Sequence, residues 1–222
     1  MFPSSTVENY LKALYQAEAA TADRRLIPMG QLASAVGVAP GTATTMVKAL
    51  AESGLVEYEK HRGVRLSSAG NKLAALVLRR HRLIEQFLVE IMGISWADVH
   101  EDAEQLEHVV SDRLIDRMDA MLGHPSVDPH GDPIPTADGS IPAYNHHSLL
   151  TCPLKTRVTV TRVTDQNASF LRFVESQELK PGQAIEVEAR DPVADSVQLR
   201  TGNERRITIG TKAASKILIE VG

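Results

Sequence analysis

Apolar side chains recur along this chain with two periods, and the change from one to the other divides it. Over residues 4–20, Val7, Tyr10, Leu11, Leu14 and Tyr15 follow a helical stripe, with Ser4, Ser5 or Thr6 placed to cap it. After a polar gap at 21–25, Met29-Gly-Gln-Leu-Ala-Ser-Ala-Val36 predicts a short helix that Gly37 ends. Ala39-Pro-Gly-Thr42 then opens a second helix, running through Met46, Val47 and Leu50 to Gly54. Helix, glycine-centred turn and helix is the helix-turn-helix pattern. Leu55-Val-Glu-Tyr-Glu59 and Val64-Arg-Leu66 read as two short strands joined by Lys60-His-Arg-Gly63, a basic wing beside that motif. Residues 68–92 read as a long helix ending near Gly93, and Trp96 to about Leu122 as one or two more.

The segment 123–153 changes character: Pro125, Pro129, Pro133, Pro135, Pro142 and Pro153 stand among several glycines, the composition of a linker. Beyond it the period shortens. Arg157–Val163, Ala184–Ala189, Ser196–Leu199, Arg205–Ile209 and Ile217–Glu220 are short runs rich in β-branched residues, separated by Pro181-Gly182, Asp191-Pro192 and Gly202-Asn203. Five strands at that spacing predict a small barrel. The fold class expected is therefore α+β and multidomain.

Composition changes this picture only in places. A length of 222 residues suits two or three modest domains, and no apolar run approaches the ~20 residues of a membrane span. Met-Phe-Pro-Ser-Ser lacks the basic start and apolar core of an export signal, and the lone Cys152 can form no internal disulfide, so a cytoplasmic protein is expected. The net charge of −4 looks wrong for a nucleic-acid binder, but it is unevenly spread. Residues 1–74 carry eight basic against six acidic side chains, whereas residues 75–130 carry five against eleven. A mildly basic head followed by an acidic segment fits DNA at one end and cations in the middle.

Candidate ligands concentrate in that acidic segment. On a helix His81 and Glu85, four residues apart, share a face; Glu104 and His108 do the same, with Glu107 one turn beyond Glu104. His100 and Glu101 precede the second set. Each pair alone could be an exposed polar pair, but two such faces meeting across an antiparallel turn would offer imidazoles and carboxylates to a divalent cation. His124, His130, His146 and His147 read as loop residues without a metal role, His61 as wing surface, and Cys152 as incidental.

His81-Arg-Leu-Ile-Glu85, Trp96-x-x-Val-His100-Glu101, Glu107-His108-Val-Val-Ser-Asp112 and His124-Pro125…Gly131-Asp-Pro-Ile-Pro135, all in register, resemble the diphtheria-toxin-repressor family of iron- and manganese-dependent transcriptional repressors. The resemblance runs nearly full length. It implies a winged helix-turn-helix DNA-binding domain at 1–74 and a helical metal-binding and dimerisation domain at 75–143. A linker at 144–153 and a small Src-homology-3-like β-barrel at 154–222, similar to ferrous-transport protein A, would follow. It also implies two metal sites. The first takes Asn9 with Glu104, Glu107 and His108, and His81 is open to sharing; the second takes His81, Glu85 and His100, with Glu101 as a further candidate. In some relatives the barrel adds side chains, which would fall here around Asp165, Gln166 and Ser169.

Iron-responsive members tend to carry Cys and Met where Glu104 and Asn9 stand, whereas manganese-responsive ones use Glu and Asp. The oxygen donors here favour Mn2+ over Fe2+, with Co2+, Ni2+ and Zn2+ expected to bind in vitro. Asn9 keeps an oxygen but loses a charge, which should weaken the site or shift its preference. The expected function is a homodimeric, metal-dependent repressor of metal-uptake genes on a palindromic operator. Ala39, Pro40, Gly41, Thr42, Thr44 and Thr45 would face the major groove, Lys48 a phosphate, and Lys60, Arg62 and Arg65 on the wing further phosphates. With no Arg or Gln to make a bidentate base contact, methyl contacts and shape should matter. The alternatives are a regulator that has lost metal control and, from another class, a metallohydrolase, which would leave the winged motif unexplained.

Overall fold

The computed structural model describes residues 4–19, 26–141 and 147–221; the polar gap expected at 21–25 and the stretch 142–146 with His146 lie outside them. The described residues fall into two compact units, one within Met1–His81 with Pro135–Ile141, the other within Arg82–Ile134 with Pro142–Gly222.

In the first unit, helix α1 (Ser5–Ala19) turns Tyr10, Leu11 and Leu14 into a buried cluster. Their spacing puts them on one face, and each apolar side chain so buried contributes about 1.5–3 kcal/mol. Helix α2 (Met29–Ala35) supplies Leu32 and Ala33, and helix α3 (Pro40–Glu52) supplies Ala43, Val47 and Leu50. Pro40 opens α3, where a missing N–H is harmless and the fixed φ is already helical. Strands β1 (Val56–Glu59) and β2 (Gly63–Leu66) pair antiparallel, with Val56 opposite Leu66 and Glu59 opposite Gly63. Val56, Val64 and Leu66 point inward, while Glu57 and Arg65 face each other on the outer side. Ile27 bridges to Val64 through two backbone hydrogen bonds of 2.7 and 3.0 Å. That approach requires Gly63, at φ +140°, because a Cβ there would lie 2.5 Å from the Ile27 carbonyl oxygen. Helix α4 (Ser68–Glu90) begins in this unit and continues into the second.

The second unit has two cores. The C-terminal part of α4, helix α5 (Val99–Leu106) and helix α6 (Asp112–Met121) enclose Leu83, Ile84, Leu88, Val99, Ala103, Ile115 and Ile134. The larger core lies under a six-stranded antiparallel sheet. Its strands are β3 (His147–Ser148), β4 (Arg157–Val163), β5 (Ala184–Asp191), β6 (Ser196–Thr201), β7 (Arg206–Gly210) and β8 (Ile217–Val221), in the order β3-β8-β4-β5-β6-β7. The five expected strands are all present, and the Src-homology-3-like domain is the fold found. Alternate residues such as Ile185 and Val187, or Val197 and Leu199, enter the core. In β4 the alternation slips: the register shifts between Val160 and Arg162, so Val158, Val160 and then Val163 face inward. Trp96 and Ala97 belong to this same buried cluster.

Helix α7 (Ala168–Ser176) was not anticipated. Its signal is present: Asn167 accepts a hydrogen bond from the Ser169 N–H at 3.0 Å, and Leu171 and Val174, three apart, are buried. A short helix α8 (Thr211–Ala214) follows β7. The linker reading of 123–153 is also corrected where residues are described. Asp128, His130, Asp132 and Ile134 are buried, Val127 bridges to Pro133, and the Ile134 N–H donates to Ser126 O at 2.9 Å. Leu149 and Cys152 are buried in the core of the sheet. Proline fixes φ in a packed loop as readily as in a solvated one, so its abundance did not separate the two. Among the described residues, no helix is long and apolar enough to cross a membrane.

Candidate metal centres and nucleic-acid surface

In the first unit α3 and the wing frame a groove of about 480 Å3, lined by Thr44, Lys48, Tyr58, Lys60, His61 and Arg62 among others. Ala39, Pro40, Gly41, Thr42, Thr45 and Lys48 are exposed and Thr44 is half-buried. The Thr44 hydroxyl donates to Pro40 O at 2.8 Å and that of Thr45 to Gly41 O at 3.1 Å. With both hydroxyls turned onto their own helix, these residues present methyl groups. On the wing, Lys60, His61 and Arg62 are exposed; Arg62 is paired with Glu59, and Arg65 donates to Glu57 at 2.7 Å. Exposed pairs of this kind are worth at most about 1 kcal/mol, so a phosphate can displace either carboxylate.

Among the described residues, two groups of metal-ligating atoms form wholly within the second unit. Glu104, Glu107 and His108 each offer a donor atom, all within 4.8 Å of one another. Helix α5 stops at Leu106, so Glu107 and His108 stand in the turn just beyond it rather than on the helical face expected. His108 Nε2 lies 3.5 Å from Glu107 Oε1, and Glu107 is buried whereas Glu104 and His108 are half-exposed. The helix end favours a cation, since the last carbonyl dipoles point there.

The second group is Glu85, Asp128 and His130, again with donor atoms within 4.8 Å of one another and all three buried. His130 Nε2 lies 2.8 Å from the Trp96 carbonyl oxygen. A carbonyl only accepts, so Nε2 carries the proton and the neutral ring has its lone pair on Nδ1. That nitrogen is fully buried with no hydrogen-bond partner among the described residues, 3.9 Å from Glu85 Oε2 and 4.0 Å from Asp128 Oδ1. A buried acceptor beside two carboxylates is the arrangement a divalent cation satisfies, and the donor set fits one. The Asp128 carboxyl is held well above the usual range, chiefly by burial and then by the charges of Asp132 and Glu85; Arg82 opposes the shift.

His100 lies between the groups, its Nδ1 3.0 Å from Glu85 Oε1 and its Nε2 3.7 Å from Glu104 Oε1. His81 is buried on α4, one turn before Glu85. Asn9 is exposed on α1 and Glu101 is exposed on α5. Sequence reasoning did not consider Asp128 and placed His130 in a loop without a metal role; the structure brings both beside Glu85. Their spacing, Asp-x-His, was the available signal. Of the barrel residues considered, Asp165 is paired with Lys216, the Ser169 hydroxyl donates to the capping Asn167 at 2.6 Å, and Gln166 donates to Asp132 at 2.8 Å.

Three family profiles match the chain in succession. They are the iron-dependent repressor N-terminal DNA-binding domain over residues 3–64, the iron-dependent repressor metal-binding and dimerisation domain over 67–136, and the FeoA domain over 147–221. A solved manganese-dependent transcriptional repressor in complex with manganese is similar at 36% identity and TM-score 0.89, over 97% of this chain and 100% of that one. The iron-dependent repressor IdeR of Mycobacterium leprae is 27% identical over 96% of this chain and 87% of its own. The transcriptional regulator MntR of Lysinibacillus sphaericus is 31% identical over 56% of this chain and 90% of its own.

Proposed function

This chain belongs to the diphtheria-toxin-repressor family of metal-dependent transcriptional repressors, and from that premise we propose that it is a homodimer in the cytoplasm that Mn2+, in preference to Fe2+, switches onto a palindromic operator of metal-uptake genes. The observation that carries the reading is the Glu104, Glu107 and His108 cluster in a chain that also holds a winged helix-turn-helix. Carboxylate oxygens and imidazole are hard and borderline donors suited to Mn2+ or Fe2+, and Co2+, Ni2+ and Zn2+ fit the same set in vitro.

The first site is assigned to Glu104, Glu107 and His108, with Asn9 as the ligand from α1 and His81 available to it. The second is assigned to His81, Glu85 and His100, the set the resemblance implies, with Glu101 as a further candidate; His100 is bonded to Glu85, and Asp128 and His130 gather beside that same carboxylate. When bound, the cation supplies positive charge that neutralises the gathered carboxylates. A cation that binds the DNA-competent arrangement more tightly than the others raises the population of that arrangement. A coupling of about 1–3 kcal/mol corresponds to roughly 5- to 150-fold in operator affinity, and DNA then raises metal affinity equally. Thr42, Thr44 and Thr45 meet thymine methyls, while Lys48, Lys60 and Arg62 contact phosphates.

Gel shifts with operator DNA in chelator, Mn2+ and Fe2+, together with calorimetric titration of each metal, test this reading. Stimulation by Mn2+ at lower concentration than Fe2+ is expected. Operator binding identical in chelator and in Mn2+ would leave a regulator without metal control.

A further inference from the structure

Glu85 turns its two oxygens toward different partners. Oε1 lies 3.0 Å from His100 Nδ1, whereas Oε2 lies 3.9 Å from His130 Nδ1. The ion assigned to His81, Glu85 and His100 accounts for the Oε1 side and leaves Asp128 and His130 without a task. Both side chains are buried, and both are held by contacts of their own. Asp128 Oδ1 accepts the His130 N–H at 2.8 Å and the Asp132 N–H at 2.9 Å, which folds the loop back on its own aspartate. The His130 ring stacks on Trp96 with centroids 5.4 Å apart and donates through Nε2 to the Trp96 carbonyl oxygen at 2.8 Å. Its other nitrogen, Nδ1, keeps a lone pair that accepts no hydrogen bond among the described residues and faces the two carboxylates.

The spacing of these atoms decides what fits between them. Nδ1 stands 3.9 Å from Glu85 Oε2 and 4.0 Å from Asp128 Oδ1, too far for a hydrogen bond to either. A protonated ring would close on one carboxylate to about 2.7–2.9 Å. Two atoms each about 2.0–2.2 Å from one small divalent ion stand up to about 4.4 Å apart, which spans both gaps. We propose that Asp128 and His130 hold a divalent transition-metal ion of their own on the Oε2 side of Glu85. It is a third site in the chain, and Glu85 bridges it to the second. The proposal rests on the reading given above, in which the second ion takes the Oε1 side. Imidazole in the donor set favours Mn2+, Fe2+ or Zn2+ over Mg2+ and Ca2+. Two cations on one carboxylate repel each other, and the Arg82 guanidinium, 3.6 Å from Asp128 Oδ2, adds to the repulsion. The third ion therefore binds last and most weakly.

Equilibrium dialysis of the full chain against Mn2+, with metal analysis and electron paramagnetic resonance, tests this. The wild-type protein should take up three ions per chain at saturation, and the last should appear as a spin-coupled pair, because it shares a carboxylate with its neighbour. His130→Gln keeps a donor for the Trp96 carbonyl but removes the Nδ1 lone pair; it should take up two ions and lose the coupled signal. Asp128→Asn keeps the shape of the side chain and its acceptor for the loop N–H groups. It should weaken the last ion by at least the roughly tenfold that even an outer partner is worth, and it carries the test should His130→Gln not fold. Three ions of unchanged affinity in both variants would place the last on the surface and overturn the site. Two ions in the wild type that still stimulate operator binding would overturn the third site and leave the repressor reading standing. No uptake of Mn2+ at all would overturn both.

Discussion

Glu104, Glu107 and His108 come from five consecutive residues at a helix end, whereas Glu85, Asp128 and His130 are drawn from a helix and a distant loop. The first group is half-exposed around one buried carboxylate; in the second all three side chains are buried. A cluster built from neighbours on the chain keeps its shape at little cost and exchanges its cation with solvent, as a sensor must. A cluster assembled from separate segments depends on whatever packs those segments, and its burial should slow exchange. On the proposed reading, the difference suits the first group to sensing and the second to a slower occupancy.

The strongest way to break that comparison is to remove one ligand from each. His108→Ala should abolish the Mn2+ stimulation of operator binding, a loss of up to roughly 150-fold in gel shifts, while the protein stays dimeric by light scattering. His130→Ala should keep most of the stimulation, and equal losses would erase the distinction. Release kinetics give the next largest effect. Mn2+ chased into excess chelator at neutral pH should leave in a fast and a slow phase, followed by electron paramagnetic resonance. Acidification should empty the fast phase at equilibrium, because metal ligands must be deprotonated to bind. Asn9→Asp should then tighten Mn2+ at the first site alone through its added charge, by calorimetry; an unchanged or weaker affinity would remove Asn9 from that site.

The smallest effect concerns Asp165, once considered as a barrel ligand. Its carboxyl is lowered, first by the Lys216 side chain and then by the Asn167 N–H. A lowered carboxyl contributes stability above its unfolded pKa that is lost as pH falls through the folded value. Asp165→Asn should therefore remove a slight acid-side loss of melting temperature below about pH 4 and leave Mn2+ affinity alone. A drop in affinity would make Asp165 a ligand after all.

What the sequence made legible follows the same division. The stripe of Tyr10, Leu11 and Leu14 and the alternation of Val197 with Leu199 announced their elements, because each pattern repeats over a few residues. Glu104, Glu107 and His108 were readable together for the same reason, although the end of α5 at Leu106 was not. Asp128 and His130 sat unread among prolines, since nothing local says that Trp96 and the β4 bulge pack against them. Helix α7 was passed over in a stretch searched for strands, despite Asn167 at its start.

The turned-in hydroxyls of Thr44 and Thr45 have a consequence on the nucleic-acid side. A reading helix that offers hydrocarbon instead of hydrogen-bonding forks senses the C5 substituent of a pyrimidine more than its Watson–Crick identity. Synthetic operators carrying deoxyuridine for thymidine should then bind more weakly, and 5-methylcytosine in the same positions should bind better than cytosine. Chemical marking of a base, rather than its letter, would be what this surface distinguishes.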